Sequence, residues 1–399
     1  DYERLLKRLK RFDGIKPGRQ PRTFQGELRP YQRHGLGWFR FLSVFGFGGC
    51  LADDMGLGKT IQVLALLEQR RQRRTRPERP KHPSLVVVPK TLIFNWLDEA
   101  ERFTPGLKML DYTGSHRQEK RRRFSEYHVV VTTYGILRRD VQYFRELKFD
   151  YVILDEAQAI KNPQSQATKS CQLLNSENRL AMTGTPIENQ LGDLWSIFEF
   201  LNPGMLGKLP AFQRLTGANK GREKDLALVR DAILPFILRR TKEEVLRDLP
   251  SKTEQILLID LLPRQQKLYD ELKKYYRSQL SDEVAKVGLK KSKMHILEAL
   301  LRMRQLACDP RLLDPDSTVV GAKIEMLGEQ LVHVVQDGHK ALVFSQFTSL
   351  LALLREELTR QKITFEYLDG KNRDRGGCVK RFQNDDKIQV FLISLKAGG

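Results

Sequence analysis

The chain has 399 residues, room for two or three domains of ordinary size, and its 40% hydrophobic and 9% aromatic content sustains packed cores and excludes a disordered polymer. Its 69 Lys and Arg against 49 Asp and Glu leave a net charge of +20, which serves solubility but favours a polyanionic partner, nucleic acid first. Cys50, Cys171, Cys308 and Cys378 form no C-x-x-C pair, no apolar run reaches the length of a membrane span, and the opening "DYERLLKRLK" is not a signal peptide. These features argue against a zinc or redox motif, a membrane protein and a secreted one. The expected setting is reducing: the cytoplasm with its nucleoid, or a nucleus.

Along the chain, residues 1–26 read as helical and then irregular, trailing from an upstream region. Short apolar runs follow, each closed by a polar or glycine-containing turn: "GFGGCLADD", "SLVVVPK", "HVVVTTYG", "DYVILDEAQ" and "NRLAMTGTP". Helix-period segments such as "TIQVLALLEQR" and "TLIFNWLDEAERF" lie between them. Near-continuous Val/Ile/Leu runs alternating with helices predict parallel β-α-β units with strands buried on both faces. Residues 191–308 carry almost no strand signal; "PRQQKLYDELKKYYRSQL" and "HILEALLRMRQLACDP" read as helices. Strands resume at "KALVFSQF", "TFEYLDG" and "IQVFLISLKAGG". The expected fold class is therefore α/β, with two lobes built on parallel sheets and helical material between them. In such sheets ligands gather where strands end.

The stretch "LADDMGLGKTIQ" follows the first run. A phosphate needs converging backbone N–H groups, and Gly56 and Gly58 let the chain approach it closely. Lys59 would set a compact charge between the β- and γ-phosphates, and Thr60 would offer its hydroxyl to Mg2+ at the positive end of the following helix. Asp53 stands where the general pattern G-x-x-x-x-G-K-[ST] has its first glycine. Further on, the strand-like "YVILDEAQ" delivers Asp155 and Glu156 to its carboxyl end, where an aspartate can hold Mg2+ and its acidic neighbour can polarise the attacking water. Lys59, Thr60, Asp155 and Glu156 form one catalytic constellation, with Thr60 and Asp155 as the metal residues. "TGTP" suits an N-capping turn after a strand, and equally a sensor.

With these motifs in hand, the chain resembles the Swi/Snf family of helicase-like ATPases over nearly all of residues 27–399. The resemblance rests on "LRPYQRHGLGWFRFL", "LADDMGLGKTIQ", "VVVPKTLIFNWLDE", "TTYG", "DEAQAIKN", "LAMTGTPIENQLGDLWSIFEFLNPG", "FILRRTKEEVLRDLP", "QLACDP", "KALVFSQFTSLL", "YLDG" and "ISLKAGG". It implies two RecA-like lobes, the first at 27–245 with a helical insertion near 191–235, the second at 246–399 with an insertion near 263–308. It also implies that ATP and Mg2+ are the cofactors. Gln32 would contact adenine, and Asp54, Met55, Gly56, Leu57, Gly58, Lys59, Thr60 and Ile61 would form the nucleotide loop. Thr183, Gly184 and Thr185 would couple nucleotide state to the nucleic-acid track. The track itself would be gripped by Pro89, Lys90, Asn95, Thr132, Thr133 and Tyr134 in the first lobe and by Ser345, Gln346 and Phe347 in the second.

Trp96, at helical spacing in "FNWLDEAERF", reads as core in preference to a DNA contact. The runs "RRQRRTRPERPK" and "EKRRRF" could be solvated faces or could lie along a duplex; Arg239 and Arg240 suit a salt bridge, a hinge or phosphate. "DEAQ" places Gln158 where many relatives have histidine. The sequence stops at "SLKAGG", before an arginine-bearing motif expected to reach the γ-phosphate, so the second lobe is expected to be truncated and the isolated chain a poor ATPase. The function implied is an ATP-dependent translocase on double-stranded DNA, whose lobes open and close along the backbone. Its expected targets are DNA-bound proteins or polymerase, with no membrane partner. The alternatives are a strand-separating RNA or DNA helicase and, for this chain alone, a non-catalytic DNA-binding scaffold.

Overall fold

A computed structural model describes residues 14–73, 82–184, 191–216, 229–245, 253–289, 291–372 and 374–395. The chain divides into two compact units, residues 1–250 and 251–399. The first is built on strands β1 (Gly49–Leu51), β2 (Ser84–Val88), β3 (Met109–Asp111), β4 (Val129–Thr133), β5 (Lys148–Leu154), β6 (Asn175–Met182) and β7 (Ile237–Leu238). They form one seven-stranded sheet in the order β3-β4-β2-β5-β6-β1-β7, and every pairing is parallel.

The near-continuous apolar runs are explained by burial on both faces. Val86, Val88, Val129, Val131, Tyr151 and Ile153 join one core with Trp38, Phe39 and Trp96. Their neighbours Leu85, Val87, Val130, Val152 and Leu154 join a second core with Leu137, Phe144 and Phe200. The first core is covered by the helices Pro30–Phe45, Lys59–Arg73 and Ile93–Phe103. Pro30 opens the helix Pro30–Phe45, with Arg29 N–H donating to Gln32 Oε1 at 3.0 Å, and Gly46 ends it at φ 72°.

Two strands lie outside the expected runs. β3 and β7 are three and two residues long and sit at the two edges of the sheet. Alternation cannot be read in so few residues, and β7 falls inside the stretch 191–308 that reads as nearly strand-free. The expectation of a helical opening falls mainly on residues 1–13, outside the described residues. Residues 14–26 do not simply trail: Phe24 is buried and stacks on Phe103 at 5.8 Å, and Gly18 N–H donates to Arg33 O at 2.7 Å.

The second unit carries the helices Pro263–Val287, Lys293–Cys308 and Ala322–Gln336, then β8 (Ala341–Ser345), β9 (Phe365–Leu368) and β10 (Val390–Ser394) in the parallel order β8-β10-β9. Ile324, Leu331, Leu351, Leu354, Val390 and Leu392 form its main core. Among the described residues no helix is long and apolar enough to cross a membrane.

Candidate active site

In the first unit, strand order brings the carboxyl ends of β7, β1, β6, β5 and β2 side by side. The chain leaving β1 is pinned before it turns: Ala52 N–H donates to Leu238 O at 2.7 Å and Asp54 N–H to Arg240 O at 3.0 Å. Gly56 and Gly58 then adopt φ of 84° and 67°, a backbone that favours glycine, and the helix Lys59–Arg73 begins at once. Leu57 is fully buried, so its carbonyl is what it offers, and that oxygen accepts from Tyr31 OH at 3.1 Å and Gln32 Nε2 at 3.3 Å. Gln32, itself buried, thus braces the loop from beneath. Met55 is exposed, while Thr60 and Ile61 are half-buried on the first helical turn.

Lys59 Nζ donates to the carbonyl oxygens of Asp53 at 2.7 Å and Asp54 at 3.2 Å. Burial holds its pKa below the ordinary lysine value, opposed by the charges of Glu156, Asp53, Asp155 and Asp54. The acidic pair before the loop has two separate uses. Asp53 is completely buried and accepts from Arg240 Nε at 2.9 Å, from Arg240 Nη2, and from Gln62 Nε2 at 3.1 Å. Asp54 is half-buried and accepts the Lys242 backbone N–H on Oδ2 at 3.1 Å. Of the readings open for Arg240, the salt bridge is the one found.

Asp155 extends β5, with its N–H on Val87 O at 2.9 Å. Its Oδ2 accepts from Trp96 Nε1 at 2.8 Å and its Oδ1 from the Glu156 N–H at 2.9 Å. Burial raises the Asp155 pKa, and the Trp96 bond is the largest effect opposing it. Trp96 is 1% exposed, so it is core and a prop for Asp155, not a surface contact. Glu156 has φ 48°, a left-handed backbone rare for a non-glycine residue. Its Oε2 accepts from Gln158 Nε2 at 2.7 Å, and Gln158 Oε1 accepts from Thr183 Oγ1 at 3.2 Å. Gln158 therefore ties the acidic turn after β5 to the end of β6. Gly184 follows; a Cβ there would lie 2.7 Å from Met55 Cγ and 3.5 Å from Lys59 Nζ. Thr185 lies outside the described residues.

One turn beyond Trp96, Glu99 has a buried Oε2 with no hydrogen-bond partner. Burial, with the charges of Asp155 and Asp98 adding to it, pushes its carboxyl up to about 7.

The expected nucleic-acid residues separate by exposure. Lys90 and Asn95 are exposed and Pro89 half-buried, just past β2. Thr132 requires a correction. Alternation along β4 turns it to the face of Val130, where it is fully buried and its hydroxyl donates to Tyr112 O at 3.1 Å. Thr133 caps the helix Tyr134–Arg139 by accepting from Ile136 N–H at 3.2 Å, and Tyr134 turns its hydroxyl to Asp155 O at 2.6 Å. These two groups are engaged within the unit. In the second unit, Ser345 Oγ accepts the Phe347 N–H at 3.1 Å, and Gln346 is exposed.

In "EKRRRF", Arg121 stacks over Tyr143 at 4.6 Å and bonds Tyr112 OH at 3.0 Å, and Arg123 pairs with Glu126 at 3.0 Å. Both side chains therefore have structural partners. Most of "RRQRRTRPERPK" lies outside the described residues; its first residue, Arg70, pairs with Asp150.

The donor set fits a magnesium-bound nucleoside triphosphate. Gly56 and Gly58 keep the loop backbone free of side chains of their own, and the Lys59 ammonium is bonded to carbonyls, not locked to a carboxylate. Asp155 keeps lone pairs on both oxygens. Among the described residues no cluster of three His, Cys, Asp or Glu residues could hold a metal by itself. Lys242 and the Gln158 bridge had no signal in the loop motifs; only the neighbourhood of β7 and β6 reveals them.

Comparison with known proteins bears on the family. The SNF2-related domain matches residues 31–312, and the helicase conserved C-terminal domain matches 322–399. An uncharacterized ATP-dependent helicase of Mycoplasma genitalium is 34% identical over 376 residues, 93% of this chain and 35% of its own length. The TATA-binding protein-associated factor MOT1 of Saccharomyces cerevisiae is 30% identical over 453 residues, 96% of this chain and 24% of its own. Among solved structures, the Sulfolobus solfataricus SWI2/SNF2 ATPase core in complex with dsDNA superposes with a TM-score of 0.56 at 34% identity, covering 94% of this chain and 80% of that one. The chain thus spans about a third of the length of the Mycoplasma relative.

Proposed function

The chain belongs to the SNF2-related family, and from that premise we propose that it forms the ATPase core of a translocase on double-stranded DNA that remodels or displaces protein–DNA complexes. The observation that carries this reading is the convergence of Lys59, Asp155, Glu156 and Thr183 at the carboxyl ends of neighbouring strands, with Gln158 joining the last two. Gly56, Gly58 and Lys59 would hold the phosphates, and Thr60 and Asp155 the Mg2+. Bound Mg2+–ATP supplies the phosphoanhydride to be broken and the metal charge that offsets the charge developing on it.

The protein's own groups do the rest. Trp96 holds the Asp155 carboxylate toward its charged form, as a metal ligand requires. Glu156, steadied by Gln158, would orient the attacking water and take its proton. Because Gln158 also bonds Thr183, a movement of Glu156 is felt at the end of β6. Lys90 and Asn95, exposed past β2, with Gln346 past β8, would meet the backbone of DNA without reading its bases.

Glu156→Gln in the protein carrying this chain tests the reading. The variant should keep ATP affinity within about twofold and lose roughly a hundredfold or more in hydrolysis, as expected for loss of a general base. Duplex DNA should stimulate the parent enzyme. A rate indifferent to duplex, strand separation on a forked substrate, or a variant that hydrolyses normally would overturn it.

A further inference from the structure

The segment after β7 carries a cation that the phosphate-loop motif does not contain. Asp54 accepts the Lys242 backbone N–H at 3.1 Å, and Arg240 O accepts the Asp54 N–H at 3.0 Å. Thr241 and Glu244 form a reciprocal cap at the same point: Thr241 N–H donates to Glu244 Oε2 at 2.8 Å and Glu244 N–H to Thr241 Oγ1 at 3.3 Å. The backbone of residues 240–242 is thereby tied to the loop at Asp54, and the cap steadies the turn that carries Lys242. Its side chain crosses Gly56: a Cβ built on that glycine would lie 3.3 Å from Lys242 Cε and 3.4 Å from Nζ. Gly56 has φ 84° and is exposed, so its missing side chain both permits the turn and makes room for the lysine.

We infer that Lys242 is a second phosphate-site cation, acting beside Lys59 to raise the affinity of the loop for a nucleoside triphosphate. The inference rests on the nucleotide reading of the loop. Two ammonium groups approach one stretch of backbone from different elements. Lys59 comes from within the loop and is half-buried among carboxylates that offset it. Lys242 comes from outside it and is exposed. An exposed cation within several ångströms of a phosphate acts through water-screened attraction, so its contribution is modest and salt-sensitive. The Asp53–Arg240 bridge and the Asp54 bond then acquire a purpose beyond stability: they hold Lys242 in register with the loop.

Titration of the purified protein with fluorescent N-methylanthraniloyl-ATP and Mg2+ tests this. Lys242→Met should raise the Kd about fivefold in low salt, with the difference shrinking as salt rises, and Lys242→Arg should stay within about twofold of wild type. Lys208→Met, an exposed lysine on the same unit, should leave the Kd unchanged. The melting temperature without nucleotide should be the same for all of them. A Lys242→Met protein that binds like wild type while Lys59→Ala loses binding overturns the inference and leaves the nucleotide site standing. So does a variant that melts early with its Kd intact, which marks a structural lysine. A wild-type protein that binds no nucleotide overturns both.

Discussion

Asp53 shows how a residue that breaks a motif can be the one that fixes it in place. Its carboxylate is fully buried and pairs with Arg240, which is itself only 11% exposed. Removing one partner of such a pair strands the other charge away from water. Arg240→Met should therefore destabilise the first unit by roughly 3 kcal/mol, whereas replacing both residues by apolar ones of similar size should cost much less. The three tryptophans, Trp38, Trp96 and Trp195, all lie in that unit, so urea unfolding followed by their fluorescence reads it alone.

Glu99 makes a second prediction with the opposite sense. Its folded pKa of about 7 lies above the ordinary 4.5, so between those values the folded state binds more protons than the unfolded one. Stability contributed by the protonated form is complete below about 4.5 and is lost as pH rises through 7. The same unfolding experiment should show Glu99→Gln flattening the pH dependence of the wild-type protein across that window. A variant with the wild-type slope would count against the buried, unpartnered carboxyl.

Among the elements, the helix Pro30–Phe45 depends on close approach to the sheet. A Cβ on Gly49 of β1 would fall 2.4 Å from Leu42 Cδ1 and 2.7 Å from Trp38 Cη2. Both side chains are buried, so neither can swing clear. Gly49→Ala should cost about 2 kcal/mol through overpacking, measured by the same tryptophan-reported unfolding. The longer strands were legible in the sequence because their apolar runs are continuous, as strands buried on both faces must be. β3 and β7 were not, because two or three residues carry no period. Yet the continuation of β7 supplies Arg240 and Lys242, which hold the acidic pair before the loop.

Across the whole molecule, the two-lobed α/β architecture expected from the sequence agrees with the likeness to the SWI2/SNF2 ATPase core. The sequence by itself determined the local pieces to which the proposed chemistry is assigned: the glycine loop with Lys59 and Thr60, and the strand-borne Asp155 and Glu156. Each is a local device, made by a strand and the turn that follows it, so contiguous residues suffice to specify it. Tertiary structure alone decided what holds those pieces. Trp96 meets Asp155 across 59 residues and Arg240 meets Asp53 across 187. The same packing turned Thr132 inward and laid Lys242 over Gly56. These contacts follow from which strands become neighbours, with β1 seated between β6 and β7 and β5 beside β2. Strand order is settled by packing the whole sheet, and no short stretch of sequence encodes it.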